Sequence, residues 1–339
     1  MTNVAHRWIE SARRGAQWIV QRQNPDGSFF DVEAGIGGYY KVPYTLALSG
    51  YVPEAVRLLR WVRAHHFTPD GDFRAPQRKA TLSAHDEWPT YANAWLIQGA
   101  HRVGQYDLSL RGARYLLGHQ VPCGGYHAFA PKTHVGMQPY VECVGTSWSG
   151  LAQLTVGNLD AAKAAACCLQ ALVDQQKDPS RFYFRMTVDG ELITNVPDGK
   201  ALSYYVDVTR QKQIYYQPGI ALIFLCRYYS ASNDTPVLEA AQDIFAFTQR
   251  CAEDVYCFPP SGKLGVGCAL LAAATGDAAA GKGAQAVADY LVSTQTDEGC
   301  WVLPDEEVYR AFENKQDPEV VMDITAEFAA FLWEIAALR

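Results

Sequence analysis

Apolar positions recur with the period of an α-helix along most of the chain, in segments of two kinds. In the first kind an apolar stripe alternates with polar residues, as in a helix with one face in water. These segments are 4–23, 52–66, 107–120, 158–176, 235–252 and 280–296. In the second kind nearly every position is small, aromatic or apolar, as in a helix buried on all sides. These segments are 39–50, 87–100, 141–155, 213–229, 261–275 and 322–338. Six buried helices alternating with six half-exposed ones predict an all-α protein, an (α/α)6 barrel formed by one domain, 1–339.

A turn signature follows several of the half-exposed helices. It is clearest in QRQNPDGSFF (21–30) and recurs in HHFTPDGDFR (65–74), HQVPCGGYHAF (119–129) and STQTDEGCWVL (293–303). Each copy has a glycine-containing turn followed by an aromatic residue, which lets the chain leave a helix through a left-handed residue. Short marks such as LSGYVPE (48–54) predict tight connections from each buried helix to the next half-exposed one. The signature therefore predicts architecture, and it marks the end of the barrel where the buried helices begin.

Strand-like alternation occurs in one region of the sequence. The segment RFYFRMTVDGELIT and the following LSYYVDVT lie within 181–209 and include an Asp-Gly turn. We expect a β-hairpin insertion there, over one end of the barrel.

Composition narrows the class of protein. The chain has 339 residues, 49% hydrophobic and 19% charged, with a net charge of -7 and no run of like charges, which argues against nucleic-acid partners. No apolar run reaches the roughly 18 residues of a spanning helix, and the N-terminus has no leader pattern, so we expect a cytoplasmic protein without stable membrane insertion. Nine cysteines without a regular framework favour reduced thiols.

The turn signature resembles the Gln-x-x-x-Asp-Gly-x-aromatic repeat of the terpenoid-cyclase and protein-prenyltransferase toroid superfamily. The matching positions are Gln23, Asp26, Gly27 and Phe29 or Phe30, and the next copy has Gln295, Gly299 and Trp301. This resemblance implies a helical toroid that binds a small molecule in a central cavity. Proteins with such barrels include cyclases, isoprenoid transferases, sugar epimerases and glycoside hydrolases, so the fold does not name the reaction.

The catalytic motifs of that superfamily are matched only in part. VMDITA (321–326) resembles the Asp-x-Asp-Asp-Thr-Ala motif of class II cyclases, whose middle acid protonates an alkene. It keeps Asp323, Thr325 and Ala326, while Val321 and Ile324 replace the flanking acids. The diphosphate-binding motif of class I enzymes and the zinc ligands of prenyltransferases have no match in the sequence. We therefore expect neither a metal nor another cofactor.

Acidic residues gather where the buried helices are expected to begin. The candidate catalytic residues are His85, Asp86, Glu87, Glu142, Asp323 and Glu327. Burial and neighbouring charges can tune such groups for acid-base chemistry, and Asp323 and Glu327, four residues apart, share one helix face. The alternatives are helix capping for Asp86, Glu87, Asp323 and Glu327, a solvent-exposed His85, and a surface position for Glu142.

Aromatic residues at the same helix starts are candidate substrate-binding residues. They are Tyr40, Tyr44, Trp88, Tyr91, Trp148, Tyr215 and Tyr216, together with Trp301 of the turn signature. Such rings stabilise a carbocation or stack on a sugar ring, although each alone is also typical of a protein core.

These observations favour a cofactor-independent cyclase, isomerase or lyase of natural product biosynthesis. Its acid-base chemistry would act on an apolar, isoprenoid-like or polyketide-like small molecule. Two alternatives stay open: a carbohydrate epimerase or glycoside hydrolase of the (α/α)6 type, and a toroid that binds a hydrophobic ligand without catalysis.

Overall fold

In the computed structural model, residues 3–74, 89–128, 138–310 and 312–339 are described. Twelve α-helices lie within these ranges. They are α1 (Asn3–Val20), α2 (Val42–Leu48), α3 (Val52–His65), α4 (Pro89–Arg102), α5 (Tyr106–Leu117), α6 (Cys143–Thr155), α7 (Leu159–Asp174), α8 (Tyr216–Ser232), α9 (Thr235–Thr248), α10 (Gly262–Thr275), α11 (Ala278–Ser293) and α12 (Pro318–Ala337).

Burial separates the helices into the two predicted kinds. Every residue of α6 from Cys143 to Gln153 is buried, and in α12 burial is continuous from Val320 to Leu332. In contrast, α3 buries only a stripe that includes Leu58, Leu59 and Val62. The all-α alternation of buried and half-exposed helices is therefore confirmed.

The start of the last buried helix differs from the prediction. The sequence pattern places it at 322, but α12 begins at Pro318, whose fixed backbone angle suits a first helical position. The Oδ1 atom of Asp317 accepts a hydrogen bond from the Glu319 N–H at 2.8 Å and so caps the helix. Asp323 thus lies inside the helix, where a capping role is excluded.

Within the described ranges, four short strands form two antiparallel pairs. The strands are β1 (Tyr140–Glu142), β2 (Arg181–Tyr183), β3 (Arg185–Thr187) and β4 (Tyr205–Asp207). β2 pairs with β4, and β3 pairs with β1, which precedes the predicted 181–209 segment. The strand-containing insertion is present, and the Asp-Gly turn closes with a 2.8 Å bond from Thr187 N–H to Glu191 O. The pairing extends beyond a single hairpin because β3 finds a partner outside the segment.

The turn signature fastens each turn to a neighbouring half-exposed helix. The Gln23 side-chain amide donates to Gly27 O at 3.2 Å and to Glu54 O of α3 at 3.0 Å. Gln120 donates in the same way to Gly124 O and to Ala161 O of α7. Gln295 repeats the arrangement with Gly299 O and Ser11 O of α1. The repeated glutamine is therefore an architectural residue.

The 65–74 copy keeps this turn without the glutamine. Thr68 N–H bonds to Asp72 O at 2.9 Å, as Asn24 N–H bonds to Ser28 O in the first copy. Phe67 occupies the position that glutamine has elsewhere, and the preceding His66 is buried. Neither histidine of this copy replaces the glutamine.

The chain forms two compact units. One comprises residues 1–118 and 291–337, and it contains α1 to α5 and α12. The other comprises 119–290 with 338–339, and it contains α6 to α10, most of α11 and the four strands. Organisation as a single domain stays a prediction.

Candidate functional site

A buried ion-pair cluster occupies the first unit where α2 begins. The Lys41 ammonium lies 2.9 Å from Asp323 Oδ2 and also contacts Glu327 Oε2. All three side chains are buried, with 3%, 3% and 6% of Lys41, Asp323 and Glu327 exposed. Burying a charge costs free energy unless the charge is paired. Each charged group of this cluster therefore depends on its partners to be stable in the helical core.

The two carboxylates keep the lysine charged. Burial lowers the pKa of Lys41, but the neighbouring Asp323 and Glu327 carboxylates outweigh it, so the net pKa is raised above its ordinary value. The cluster therefore contains a fixed ammonium with two carboxyl groups beside it.

Tyrosine rings surround the ammonium. Lys41 Nζ lies 5.1 Å from the ring centre of Tyr40 and 5.9 Å from that of Tyr91, and these rings meet edge to face at 5.7 Å. The Tyr91 hydroxyl donates to Glu327 Oε2 at 3.4 Å. Burial and the Asp323 carboxylate raise the pKa of Tyr40 well above its ordinary value, so its hydroxyl stays protonated. The tyrosines thus combine oriented ring faces with neutral proton donors.

Local sequence explains how the cluster is positioned. Lys41 is the residue before α2, and Pro43 lies in the first turn. The Thr45 hydroxyl donates a hydrogen bond to the Ala326 carbonyl oxygen of α12 at 2.7 Å. The same hydroxyl lies 3.2 Å from the carbonyl oxygen of Lys41. This bond joins α2 to the part of α12 between Asp323 and Glu327, and so sets the register of the three charged groups.

Thr325 of the partial class II motif has an architectural contact. Its hydroxyl accepts a hydrogen bond from the backbone N–H of Trp301 at 3.1 Å. In the same way, the hydroxyl of Thr146 in α6 accepts a hydrogen bond from the backbone N–H of Tyr126 at 3.1 Å. The Trp301 indole N–H donates to Leu291 O at 2.7 Å, and its ring packs at Gly15. Trp301 lies inside the first unit, and this geometry favours packing over the predicted substrate contact, which stays a prediction.

Tyr44 lies one turn beyond Lys41. Its hydroxyl bonds to the Glu334 carboxylate, its ring meets Trp95 edge to face at 5.4 Å, and the Arg102 guanidinium lies 5.1 Å above it. Among the predicted site residues, the structure brings Asp323, Glu327, Tyr40 and Tyr91 into one cluster, with Tyr44 at its side.

In the second unit, Glu142 is buried in β1. Only 1% of it is exposed, so the surface alternative is wrong. Cross-strand pairing places it opposite Arg185, with Glu142 Oε2 3.8 Å from Arg185 Nε. The Arg185 guanidinium lies over the rings of Tyr140 and Tyr204, 4.3 and 4.4 Å from their centres. Glu142 is therefore the buried partner of a stacked arginine.

The other predicted residues of the second unit have different surroundings. Trp148 is buried in α6. The Tyr215 hydroxyl donates to Asp254 Oδ1 at 2.7 Å, which ties it to a neighbouring turn. Tyr216 is half-buried, and Lys263 Nζ lies 5.7 Å from its ring centre. A role in binding substrate stays a prediction for these three aromatic residues.

Four predicted residues, His85, Asp86, Glu87 and Trp88, lie outside the described residues. Sequence reasoning also missed two residues, Lys41 and Arg185. The available signal for Lys41 was a charged residue inside the aromatic, apolar stretch YYKVPY. Arg185 had no comparable signal, because strand pairing brings it to Glu142.

Within the described ranges, no group of three or more His, Cys, Asp or Glu side chains could hold a metal ion. No helix within the same ranges has the length and apolar character needed to cross a membrane.

No family model matches the chain, and no curated protein sequence is similar to it. Solved structures do share its fold. A D-mannose isomerase superposes with a TM-score of 0.69 at 15% identity, covering 99% of both chains. The GH76 α-mannanase of Bacteroides thetaiotaomicron gives 0.65 at 12%, covering 98% of this chain and 95% of that one. The type II terpene cyclase MstE from Scytonema, in complex with geranylgeranyl dihydroxybenzoate, gives 0.59 at 13%, covering 99% of both. These similarities show that the chain has an (α/α)-toroid fold. They do not show its activity, because one fold can carry different reactions.

Proposed function

We propose that this protein is an enzyme that uses the Lys41, Asp323 and Glu327 cluster for proton transfer. The observation that carries the proposal is an ammonium buried against two carboxyl groups on one face of α12. Clusters of strongly perturbed titratable groups are typical of catalytic sites. Solved structures with this fold include an isomerase, a hydrolase and a cyclase, which further supports an enzyme.

The arrangement divides the work between the two carboxyl groups. With both carboxyl groups ionised the cluster carries a net charge of -1, and protonation of Glu327 leaves the Lys41 charge balanced by Asp323 alone, with no net charge in the buried site. The Tyr91 hydroxyl donates a hydrogen bond to Glu327, so it contacts the carboxyl group whose protonation changes. We assign proton exchange to Glu327 and charge balance to Asp323. In this assignment Asp323 stays ionised as the counter-charge of Lys41 at 2.9 Å, so it would not be the alkene-protonating acid that the class II resemblance implies.

Cyclisation or isomerisation of an apolar, isoprenoid-like or polyketide-like molecule is the reaction we favour. The aromatic rings of Tyr40, Tyr44, Tyr91 and Trp95 lie beside the cluster, and such faces stabilise cationic intermediates. The similarity to MstE, which was solved with a geranylgeranyl substrate, also supports this class. Sugar isomerisation is the second candidate, favoured by the higher TM-score of the D-mannose isomerase.

Glu327→Gln tests the assignment, with the exposed Glu33→Gln as a control outside the cluster. The purified variants are incubated with geranylgeranyl dihydroxybenzoate, D-mannose and an α-1,6-mannotriose, and products are measured by mass spectrometry. Loss of a general acid or base lowers kcat by about 10² to 10⁴. We expect that loss for Glu327→Gln with the prenylated substrate and little change for Glu33→Gln.

The outcomes separate the candidate functions. Turnover of mannose alone would transfer the proposal to the sugar isomerase. Binding of the prenylated compound without turnover by the wild type would favour the non-catalytic toroid. Full activity of Glu327→Gln would refute proton transfer at this cluster.

A further inference from the structure

Two thiols of the second unit lie close together, away from the ion-pair cluster. Cys123 Sγ is 3.8 Å from Cys168 Sγ, although the residues are 45 positions apart in sequence. Cys123 is half-buried in the turn after α5, whereas Cys168 is buried in α7. We propose that Cys123 is a peroxide-reactive cysteine and that Cys168 resolves its oxidised form as a disulfide.

The turn that carries Cys123 is fixed against α7, so the two sulfur atoms stay near each other. Gln120 donates to Ala161 O at 3.0 Å, and a Cβ on Gly124 would lie only 2.2 Å from Ala164 O. A disulfide requires about 2.05 Å between the sulfur atoms, so they must approach by a little under about 2 Å. The proposal requires this approach to come from the Cys123 and Cys168 side chains, because the turn and α7 are in close backbone contact.

The surroundings of Cys123 favour the reactive thiolate. Hydrogen bonding from the Cys168 thiol lowers the pKa of Cys123 to about 6, partial burial opposes this effect, and the Gly125 N–H adds to it. The hydrogen bond that Cys168 donates to Cys123, together with burial, raises the pKa of Cys168 well above its ordinary value. Cys123 is therefore the nucleophile, and Cys168 acts second.

The chemistry balances with one molecule of hydrogen peroxide. The Cys123 thiolate attacks one peroxide oxygen, forming an S–O bond and breaking the O–O bond, and the leaving hydroxide takes a proton to become water. The Cys168 sulfur then attacks the Cys123 sulfenic acid, forming the S–S bond and breaking the S–O bond. The Cys168 proton leaves with that oxygen as a second water, so two thiols are oxidised and one peroxide is reduced.

Peptide mapping of the reduced, full-length protein after hydrogen peroxide treatment tests the proposal without any variant. We expect the Cys123–Cys168 disulfide as the main product, with loss of two of the nine thiols. Cys168→Ala should stop the reaction at the Cys123 sulfenic acid, which dimedone traps. Cys167→Ser is the matched control, because this neighbouring exposed thiol should not affect the disulfide.

A pH profile of alkylation by iodoacetamide separates activation from mere proximity. In the wild type the midpoint for Cys123 should lie below the ordinary thiol value of about 8.5. In Cys168→Ala the midpoint should rise toward the ordinary thiol value of about 8.5, because the hydrogen-bond donor is gone. Absence of the disulfide in the wild type, or an unchanged midpoint in Cys168→Ala, would overturn the proposal.

Discussion

A single ammonium group sets the chemistry available to the buried face of α12. Lys41 precedes α2 in the chain, yet it contacts two carboxyl groups that lie 282 and 286 positions away. A buried pair contributes less net stability than its contacts suggest, but removing one partner leaves an uncompensated charge. Lys41 therefore couples folding of the first unit to the proposed catalytic charges.

Lys41→Met should destabilise the protein by about 3–5 kcal/mol, because two carboxylates lose their buried counter-charge. Urea unfolding measures the change, and the exposed Lys163→Met should stay within about 0.5 kcal/mol. The raised pKa of Lys41 means that its contribution is complete below about pH 10.4 and declines only as the pH rises further. An effect of Lys41→Met as small as that of Lys163→Met would contradict the buried cluster.

His66 gives the first unit a sensitivity to acid. It packs against Trp61 with ring centres 5.0 Å apart, and burial lowers its pKa to about 4. Below about pH 6.5 His66 binds a proton in the unfolded chain but not in the folded protein. The free energy of unfolding therefore falls as the pH drops toward 4. The full loss is about 3 kcal/mol.

Comparison of His66→Phe with His65→Gln isolates this contribution. Unfolding free energies measured between about pH 7 and 4 should fall less steeply for His66→Phe than for the wild type. The exposed neighbour His65→Gln should keep the wild-type slope. Identical slopes for all three proteins would show that His66 titrates normally.

At the scale of elements, the turns that carry Gln23, Gln120 and Gln295 each fasten the end of one half-exposed helix to a neighbouring half-exposed helix. The glutamine amides hold the turn to a neighbouring helix, and glycine lets the backbones approach. Gly124 has a positive φ of 90° and lies against Ala164 O, whereas Gly157 has a similar φ of 82° in open space. Comparing substitutions at Gly124 and Gly157 therefore separates the cost of close backbone approach from the cost of backbone strain.

Gly157→Ala should cost about 1–2 kcal/mol, the strain of a left-handed alanine. Gly124→Ala should cost about 2 kcal/mol more, because its Cβ also overlaps a backbone carbonyl. Chemical denaturation of both variants measures the difference. Equal losses would mean that the turn at 121–125 relaxes away from α7 without penalty.

At the scale of the whole molecule, the chain folds into two compact units, and the first is built from both ends of the sequence. The single-domain hypothesis predicts one cooperative unfolding transition, with equal calorimetric and van't Hoff enthalpies. Differential scanning calorimetry of the full chain tests it. Two resolved transitions would show that the units unfold separately.

The sequence by itself determined the class of fold and most element boundaries. Helical periodicity and the pattern of burial follow from local chain geometry. The alternating helices and the turn signature could therefore be predicted from the order of residues along the chain. Asp323 and Glu327 could be paired for the same reason, since residues four apart share a helix face. The start of α12 was missed because the cap at Asp317 and Pro318 precedes the apolar run.

Only the tertiary structure decided what those carboxyl groups touch. Lys41 reaches them through the packing of α2 against α12, and Arg185 reaches Glu142 through strand pairing. Sequence spacing fixes neighbours along one helix or strand, but contacts between distant segments depend on how the whole chain packs. That packing joined Lys41 to Asp323 and Glu327, and Cys123 to Cys168, and so produced the two sites for which we propose chemistry.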